Sequence, residues 1–391
     1  MPTRELAPDE LDLSLVRGGP LYGLLIRMGI ARAGVSGVTA RMVIYAAVTW
    51  LPLAVLSWIQ GQQAGAPLLQ SFLANFAQSV RFLAVVPLLI FAELQIQPWL
   101  SHVVRYFVRS GLITEAELPC YLEFIRHSQR LRDSLPVELG LLAFAFLTSA
   151  FGLNLAPHVD DGQWLLMDGK LTLAGEFFRY FAMPVVRFLW LRWCWRIVIW
   201  WSLLARISRL KLKLVPTHPD CVGGLGFLAA GHNHFAILVF AFSCQGSAAM
   251  GQFILYHGYR LDDFKGTILS IVVFMVLFNI LPLLVFTPKL IDCKRKGLYE
   301  YGILAKQYVD SFHSKWVPDQ EEPAGATADK PVESDSKVQD KFKVVGNMRA
   351  FAFDRGTIFG FATAAILPFA PLLLTMYRFD QLLDQLVHKL I

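Results

Sequence analysis

Long runs of apolar residues, separated by shorter polar stretches, dominate the chain. An α-helix rises about 1.5 Å per residue, so about 20 apolar residues cross a bilayer core of roughly 30 Å. Seven runs reach or approach that length, at residues 42–60, 82–100, 137–155, 177–205, 235–257, 267–285 and 356–377. The pattern predicts an all-α fold, a polytopic transmembrane helical bundle of about seven spans.

The lysines and arginines of the connecting segments alternate between two sides. Five arginines precede the first run, five lie between the second and third, and four basic residues lie between the fourth and fifth, whereas residues 61–80 contain none. Short loops rich in lysine and arginine stay in the cytoplasm. We therefore expect the N-terminus to be cytoplasmic.

The segments outside the apolar runs divide the chain further. Within the membrane domain, the loop at 101–136 is predicted to be cytoplasmic and helical, with an interfacial amphipathic helix at 102–113, and the loop at 206–234 is also cytoplasmic. The whole division is a cytoplasmic N-terminal segment at 1–41, a six-span membrane domain at 42–290, a cytoplasmic helix at 291–316, a flexible linker at 317–340, and a last span with an interfacial C-terminal helix at 341–391.

The cytoplasmic helix and the linker are predicted from different signals. Leu298, Tyr301 and Leu304 have helical spacing, which indicates a partly buried face. The linker is rich in Pro, Glu, Asp, Ala, Gly and Lys and has too few large apolar residues to order itself by burial.

Composition supports a membrane protein. The 391 residues are 55% hydrophobic and 17% charged, whereas soluble domains have about 45–50% apolar and about 25% charged residues. The net charge of +6 comes from basic residues beside the apolar runs, so it indicates topology and not nucleic-acid binding. The five cysteines have no C-x-x-C spacing, and we expect no disulfide framework.

The fourth run is unusual because it contains Arg187, Arg192 and Arg196 together with five tryptophans. Arg192 is placed near the bilayer midplane, where a lone arginine costs about 2.5 to 3.5 kcal/mol on insertion scales. A partner is therefore expected, and Glu93 matches the depth of Arg192 or Arg196 better than Glu138 does. The arginines are explained either by a structural ion pair within an aromatic belt or by a site for an anionic solute, a lipid headgroup or a quinone oxygen.

The loop PTHPDCVGGLGFL is the second candidate site. His218 and Asp220, with His232 and His234 downstream, offer imidazole and carboxylate ligands for a metal, although their spacing matches no zinc signature. The same residues also fit a structural loop in which His218 and Asp220 bond to the backbone, or an anion site made by the amides of Gly223 and Gly224. The glycines fit no Walker or dinucleotide pattern.

Two stripes of small residues are predicted to let helices approach closely in lipid. One stripe contains Ser243, Ser247 and Gly251, and the other contains Gly356, Gly360 and Ala364.

The loop PTHPDCVGGLGFL, the preceding LRWCWRIVIW and the later GLYEYGILAKQYVDSFHSKW and VVGNMRAFAFD together resemble a family of bacterial multi-spanning inner-membrane proteins of uncharacterised activity. The likeness extends from about residue 81 onward. It implies a multi-pass protein of the bacterial inner membrane and implies no reaction. The family pattern has arginine after His-Pro-Asp, where this chain has Cys221, and it does not include His232 or His234, which weakens the metal hypothesis.

Three functional hypotheses follow. The first is a site or pathway for an anionic solute or lipid headgroup, lined by Arg187, Arg192 and Arg196 with Glu93 as counter-charge. The second is a membrane-embedded metalloenzyme that uses His218 and Asp220, and the third is a membrane subunit or sensor for a soluble partner. No nucleophile elbow, haem signature or ATPase loop is present, so we favour a protein without enzymatic activity. The cofactor is unknown, membrane lipid is the expected partner, nucleic acid is not, and the sequence leaves the oligomeric state open.

Overall fold

The structure is a computed structural model that describes residues 13–15, 18, 23, 26, 35–151, 163–316 and 335–375. Helices make up most of this part of the chain, and the strands are limited to a short hairpin, β1 (Leu166–Met167) and β2 (Lys170–Leu171). The α-helices are α1 (Val35–Ala64), α2 (Leu68–Ala74), α3 (Phe76–Val80), α4 (Val86–Arg109), α5 (Leu118–Arg132), α6 (Leu135–Ala150), α7 (Leu173–Phe177), α8 (Met183–Ile207), α9 (Gly226–His232), α10 (Ala236–His257), α11 (Lys265–Ile280), α12 (Thr287–Trp316), α13 (Asp335–Gly346) and α14 (Arg355–Ile366).

Tighter or wider turns connect several of these helices. Two π-helical turns, Arg81–Val85 and Phe178–Ala182, join α3 to α4 and α7 to α8. Stretches of 3₁₀-helix lie at Asn233–Phe235, Leu261–Phe264, Leu281–Phe286 and Leu367–Thr375.

Proline explains where the two π-helical turns occur. Pro87 and Pro184 are the second residues of α4 and α8. Proline has no amide hydrogen and its ring clashes with the carbonyl four residues earlier, so the preceding turn widens while the following helix continues. Each proline therefore fixes a local change of helix geometry inside a long helical segment.

Five continuous helical segments are long and apolar enough to cross a membrane: Gly37–Ala64, Phe76–Arg109, Phe227–His257, Leu261–Gln307 and Arg355–Thr375. A sixth is added if the pair Leu118–Arg132 and Leu135–Ala150, bent by 42°, counts as one crossing. The all-α membrane fold is confirmed, but the count of seven is not reached. The predicted third span has only the 16 residues of α6, and the helix of the fourth is too rich in arginine to qualify by composition.

Large apolar side chains on the outer faces of the helices point away from the protein. Leu269, Leu277 and Phe359 are each more than 60% exposed. Exposed apolar surface of this extent is costly in water, and it fits helices that contact lipid.

The loops fall into two groups, and loops within the same group contact one another. On one side, Lys213 N donates to the Leu112 carbonyl at 2.9 Å, and the Lys289 ammonium donates to the Leu210 carbonyl. On the other side, Leu173 N donates to Gln60 Oε1 at 2.7 Å. Loops that the charge pattern assigns to the same side of the membrane are therefore in contact.

Several boundaries differ from the sequence predictions. Residues 102–109 continue α4 and do not form a separate interfacial helix. The helix predicted at 291–316 begins at Thr287. Of its predicted buried positions, Leu298 and Leu304 are exposed and Tyr301 is half-buried, and Gly297 packs on Pro216. Helix α13 begins inside the predicted linker, whose first part lies outside the described residues, as do most of the N-terminal segment and the C-terminal helix.

Candidate functional site

The main candidate site is a group of buried charges where α1, α4 and α8 meet. Glu93 accepts from Arg41 Nη1 at 2.8 Å and from Arg196 Nη1 at 3.1 Å. The side chains of Arg41, Glu93 and Arg196 are only 9%, 11% and 7% exposed. One carboxylate from α4 therefore joins two guanidinium groups from two other helices.

A second ion pair lies one turn away on α8. Arg192 Nε lies 3.7 Å from Glu138 Oε1, near the start of α6. The helical repeat places Arg192 and Arg196 on one face of α8. It places Arg187 about 140° round the helix from Arg192, and Arg187 is partly buried there.

Tryptophans hold the arginines in position. The Arg196 guanidinium lies 4.8 Å from the centre of the Trp193 ring, close enough for a cation–π interaction. Trp193 Nε1 donates to the Leu89 carbonyl at 2.9 Å, one turn before Glu93 on α4. This hydrogen bond therefore fixes the orientation of the Trp193 ring that faces the cation, and it fixes the spacing between α4 and α8.

Among the described residues, the three ion pairs of this cluster leave an excess of positive charge. Arg41, Arg192 and Arg196 face two carboxylates, Glu93 and Glu138. Among the described residues, the buried Nη2 atom of Arg196 and the buried Nε atom of Arg41 have no hydrogen-bond partner. A buried donor without a partner costs free energy, so these atoms mark places where an acceptor would be stabilised.

A small cavity lies beside this cluster. Its volume is about 30 Å³, and Arg132, Glu138, Arg192, Trp195 and Arg196 are among the residues that line it. A polar cavity of this size has room for about one water molecule. In this conformation the cavity is small, with room for a single small group.

Part of this cluster is predictable from the sequence. The depth of Glu93 predicts a pair with Arg192 or Arg196, and the structure shows Arg196 in that pair. Arg192 pairs with Glu138, the acid that had been ranked second. Arg41 was missed as a partner because its position at the start of the first apolar run gives only a topology signal.

The loop of the second candidate site is built around Asp220. Its Oδ1 accepts from Val222 N at 2.9 Å and Gly224 N at 3.1 Å, and its Oδ2 accepts from Gly226 N at 2.9 Å. Burial opposes ionisation, but these backbone hydrogen bonds and one from His218 outweigh it and hold the pKa of Asp220 below its ordinary value. The Asp220 carboxylate therefore makes its hydrogen bonds within the loop and stabilises the conformation of the loop.

The backbone of the loop needs its glycines. Gly223 and Gly224 have φ of +65° and +97°, a region that side chains with a Cβ rarely adopt. Arg349 N donates to the Cys221 carbonyl at 2.7 Å, and the Arg349 guanidinium donates to the Asp220 carbonyl at 3.2 Å. The loop therefore docks onto the segment that leads into α14.

The structure does not bring the proposed metal ligands together. Nδ1 of His218 lies 2.8 Å from Asp220 Oδ1, but buried His232 packs against Phe235 and Phe361, and His234 stacks on Trp99. In the part of the chain that the structure describes, no three His, Cys, Asp or Glu side chains are placed to hold a metal ion. The metal site proposed from His218, Asp220, His232 and His234 is therefore not supported by this geometry.

Comparison with known proteins adds no further assignment. No family model, no curated protein and no solved structure matches this chain.

Proposed function

We propose that the chain is a seven-span protein of the bacterial inner membrane with a cytoplasmic N-terminus. The contacts between loops support the count, because α6 and α8 each run between the two groups of loops. Arg132, before α6, donates to the Ser14 carbonyl, and Arg179, before α8, donates to the Ala150 carbonyl at the far end of α6. The proposed location in the bacterial inner membrane is supported by the sequence resemblance, and the proposed orientation is supported by the positive-inside rule.

We propose further that the buried arginine cluster binds an anion, either a small solute or an oxygen of a lipid headgroup. The observation that carries this proposal is the buried Arg196 Nη2 donor, which has no partner among the described residues. The described side chains of the cluster contribute three guanidinium groups and two carboxylates. A bound anion would neutralise the excess charge and accept from this donor.

The size of the cavity limits what the site holds at rest. A volume of about 30 Å³ admits a monatomic anion or one oxygen of a larger group, but not a whole phosphate group together with its water. Passage of a larger anion therefore requires α6 and α8 to separate. The Arg192 and Glu138 pair, which joins these helices at 3.7 Å, is the contact that would open.

Substitution of Arg192 tests this proposal. The variant Arg192→Gln and the double variant with Glu138→Gln are reconstituted in proteoliposomes, and efflux of chloride, phosphate and labelled lipid is compared with the wild type. The double variant leaves no buried carboxylate uncompensated, so it separates loss of function from misfolding. We expect binding or flux of one anion to fall at least tenfold in both variants.

The matched control is Arg260→Gln, which removes one positive charge from a side chain that is 79% exposed and whose ion pair is with Asp262, outside the cluster. It should behave as the wild type does. Unchanged movement of every anion and lipid in the Arg192→Gln variant would exclude the proposed site.

A further inference from the structure

A basic pocket lies on the last turns of α4, apart from the arginine cluster. Its volume is about 150 Å³, and its lining includes Pro98, His102, Arg105, Tyr106 and Arg109. Steps of three or four positions lead from Pro98 to His102, from His102 to Arg105 or Tyr106, and from either of these to Arg109, so the residues lie on one side of the helix. The pocket lies beyond Glu93 on α4, on the side that the charge pattern assigns to the cytoplasm.

Aromatic contacts fix the wall of this pocket. Trp99 stacks on His234 with ring centres 4.5 Å apart, and Tyr106 packs on Phe227 at 4.4 Å. These contacts hold the end of α4 against α9 and the 3₁₀ turn that precedes α10. Tryptophan and tyrosine are enriched at the level of lipid headgroups, so their positions are typical of a membrane interface.

The described residues of the pocket offer hydrogen-bond donors and include no acidic side chain. Two guanidinium groups, an imidazole and a phenol line it, and none of the described residues that line it is acidic. Guanidinium groups bind phosphate oxygens with paired hydrogen bonds. At about 30 Å³ for each water molecule, the volume corresponds to about five waters, enough for a phosphate group with part of its hydration.

We propose that this pocket binds a phosphate-bearing anion, supplied by the headgroup of an anionic phospholipid. Clusters of basic residues next to the cytoplasmic end of a membrane helix attract anionic lipid headgroups. Arg109 is exposed, so its guanidinium group is accessible to a headgroup at this pocket. This site shares no residue with the Arg192 cavity and does not depend on the function proposed for it.

Lipid binding to the purified full chain tests the assignment. Native mass spectrometry measures retention of phosphatidylglycerol and phosphatidylcholine, and titration calorimetry measures inorganic phosphate. We expect preferential binding of phosphatidylglycerol, weakened roughly fivefold by Arg109→Gln, since each basic residue near the surface contributes about that factor. Adding His102→Gln should weaken it further, and Arg109→Lys should restore most of it.

Two controls make the result specific. Arg295→Gln removes a positive charge from a side chain that is 78% exposed on α12, and it should retain wild-type lipid binding. Arg109→Gln should weaken phosphatidylglycerol binding by the same factor in the wild-type background and in the Arg192→Gln and Glu138→Gln double variant, which separates this site from the arginine cluster. Equal binding of the two lipids, or no effect of the Arg109→Gln and His102→Gln substitutions, would overturn the assignment, and binding of inorganic phosphate alone would overturn its lipid source.

Discussion

Glu93 is the residue on which the buried charges depend. It is the shared partner of Arg41 on α1 and Arg196 on α8, at 2.8 and 3.1 Å. A buried ion pair gives little net stability over an apolar substitute, yet removal of one member leaves an uncompensated charge. Glu93 compensates two such charges, so we expect its substitution to lower the free energy of unfolding more than substitution of either arginine does.

We predict that Glu93→Gln destabilises the protein by about 3 to 5 kcal/mol, because two guanidinium groups remain buried without their carboxylate. Thermal unfolding in detergent, followed by tryptophan fluorescence, measures the change. The control Glu300→Gln alters an exposed carboxylate on α12 and should shift stability by less than about 0.5 kcal/mol. Equal unfolding temperatures for the two variants would contradict the structural importance of the cluster.

At Asp220, the residue types alone do not decide the role of the loop. The sequence left three roles for the loop open, namely a metal site, a structural turn and an anion site. The three backbone amides that donate to the Asp220 carboxylate favour the structural turn. The amide of Gly224, which the anion hypothesis required, is among them, so a bound anion would compete with a carboxylate already in place.

At the scale of the helices, the spacing of small residues was only partly predictive. Ser243 and Ser247 on α10 are buried, and Gly251 packs against Phe76, as predicted. On α14 the prediction was wrong, because Gly360 has open space beside it, and the buried residues include Thr357 and Phe361. Both faces of such a helix are apolar, so hydrophobicity does not distinguish the face that meets protein from the face that meets lipid.

The contact between α12 and the His-Pro-Asp loop depends on a glycine. A Cβ at Gly297 would lie 2.5 Å from Pro216 Cβ and 3.0 Å from Val345 Cγ1. We predict that Gly297→Ala destabilises this contact by about 1 to 3 kcal/mol, because proline cannot move its ring aside. Thermal unfolding measures the total loss, and hydrogen exchange of the loop amides should increase.

Gly302 provides the control on the same helix. Its added Cβ would meet Phe342 at 3.8 Å, an ordinary contact. Gly302→Ala should be neutral or stabilising by up to about 1 kcal/mol, since alanine favours helix over glycine. Destabilisation by both substitutions to the same extent would show that helix α12 does not pack as described.

At the scale of the whole molecule, the two groups of loops determine the topology. Residue 62 is in the group predicted to face out, and Cys221 is in the group predicted to face the cytoplasm. Three predicted spans lie between them, so they must be on opposite sides. If either α6 or α8 failed to cross, the two positions would lie on the same side.

Labelling of cysteines in intact cells distinguishes these topologies. One variant keeps Cys221 and lacks the other four cysteines, and a second lacks all five and carries Gln62→Cys at an exposed position. A membrane-impermeant maleimide should label residue 62 in intact cells and Cys221 only after permeabilisation. Labelling of both from outside would reject the seven-span topology, and the reverse pattern would reject the cytoplasmic N-terminus.

The sequence by itself determined that this chain forms long apolar helices with basic loops alternating between them. Helix length and hydropathy are local properties, and the backbone of each membrane helix satisfies its own hydrogen bonds whatever its neighbours are. Only the tertiary structure decided that Glu93 joins Arg41 and Arg196, that Arg192 pairs with Glu138, and that His232 and His234 lie away from Asp220. Those outcomes depend on how the helices are rotated and paired, which the apolar pattern does not specify because lipid and protein interior accept the same side chains.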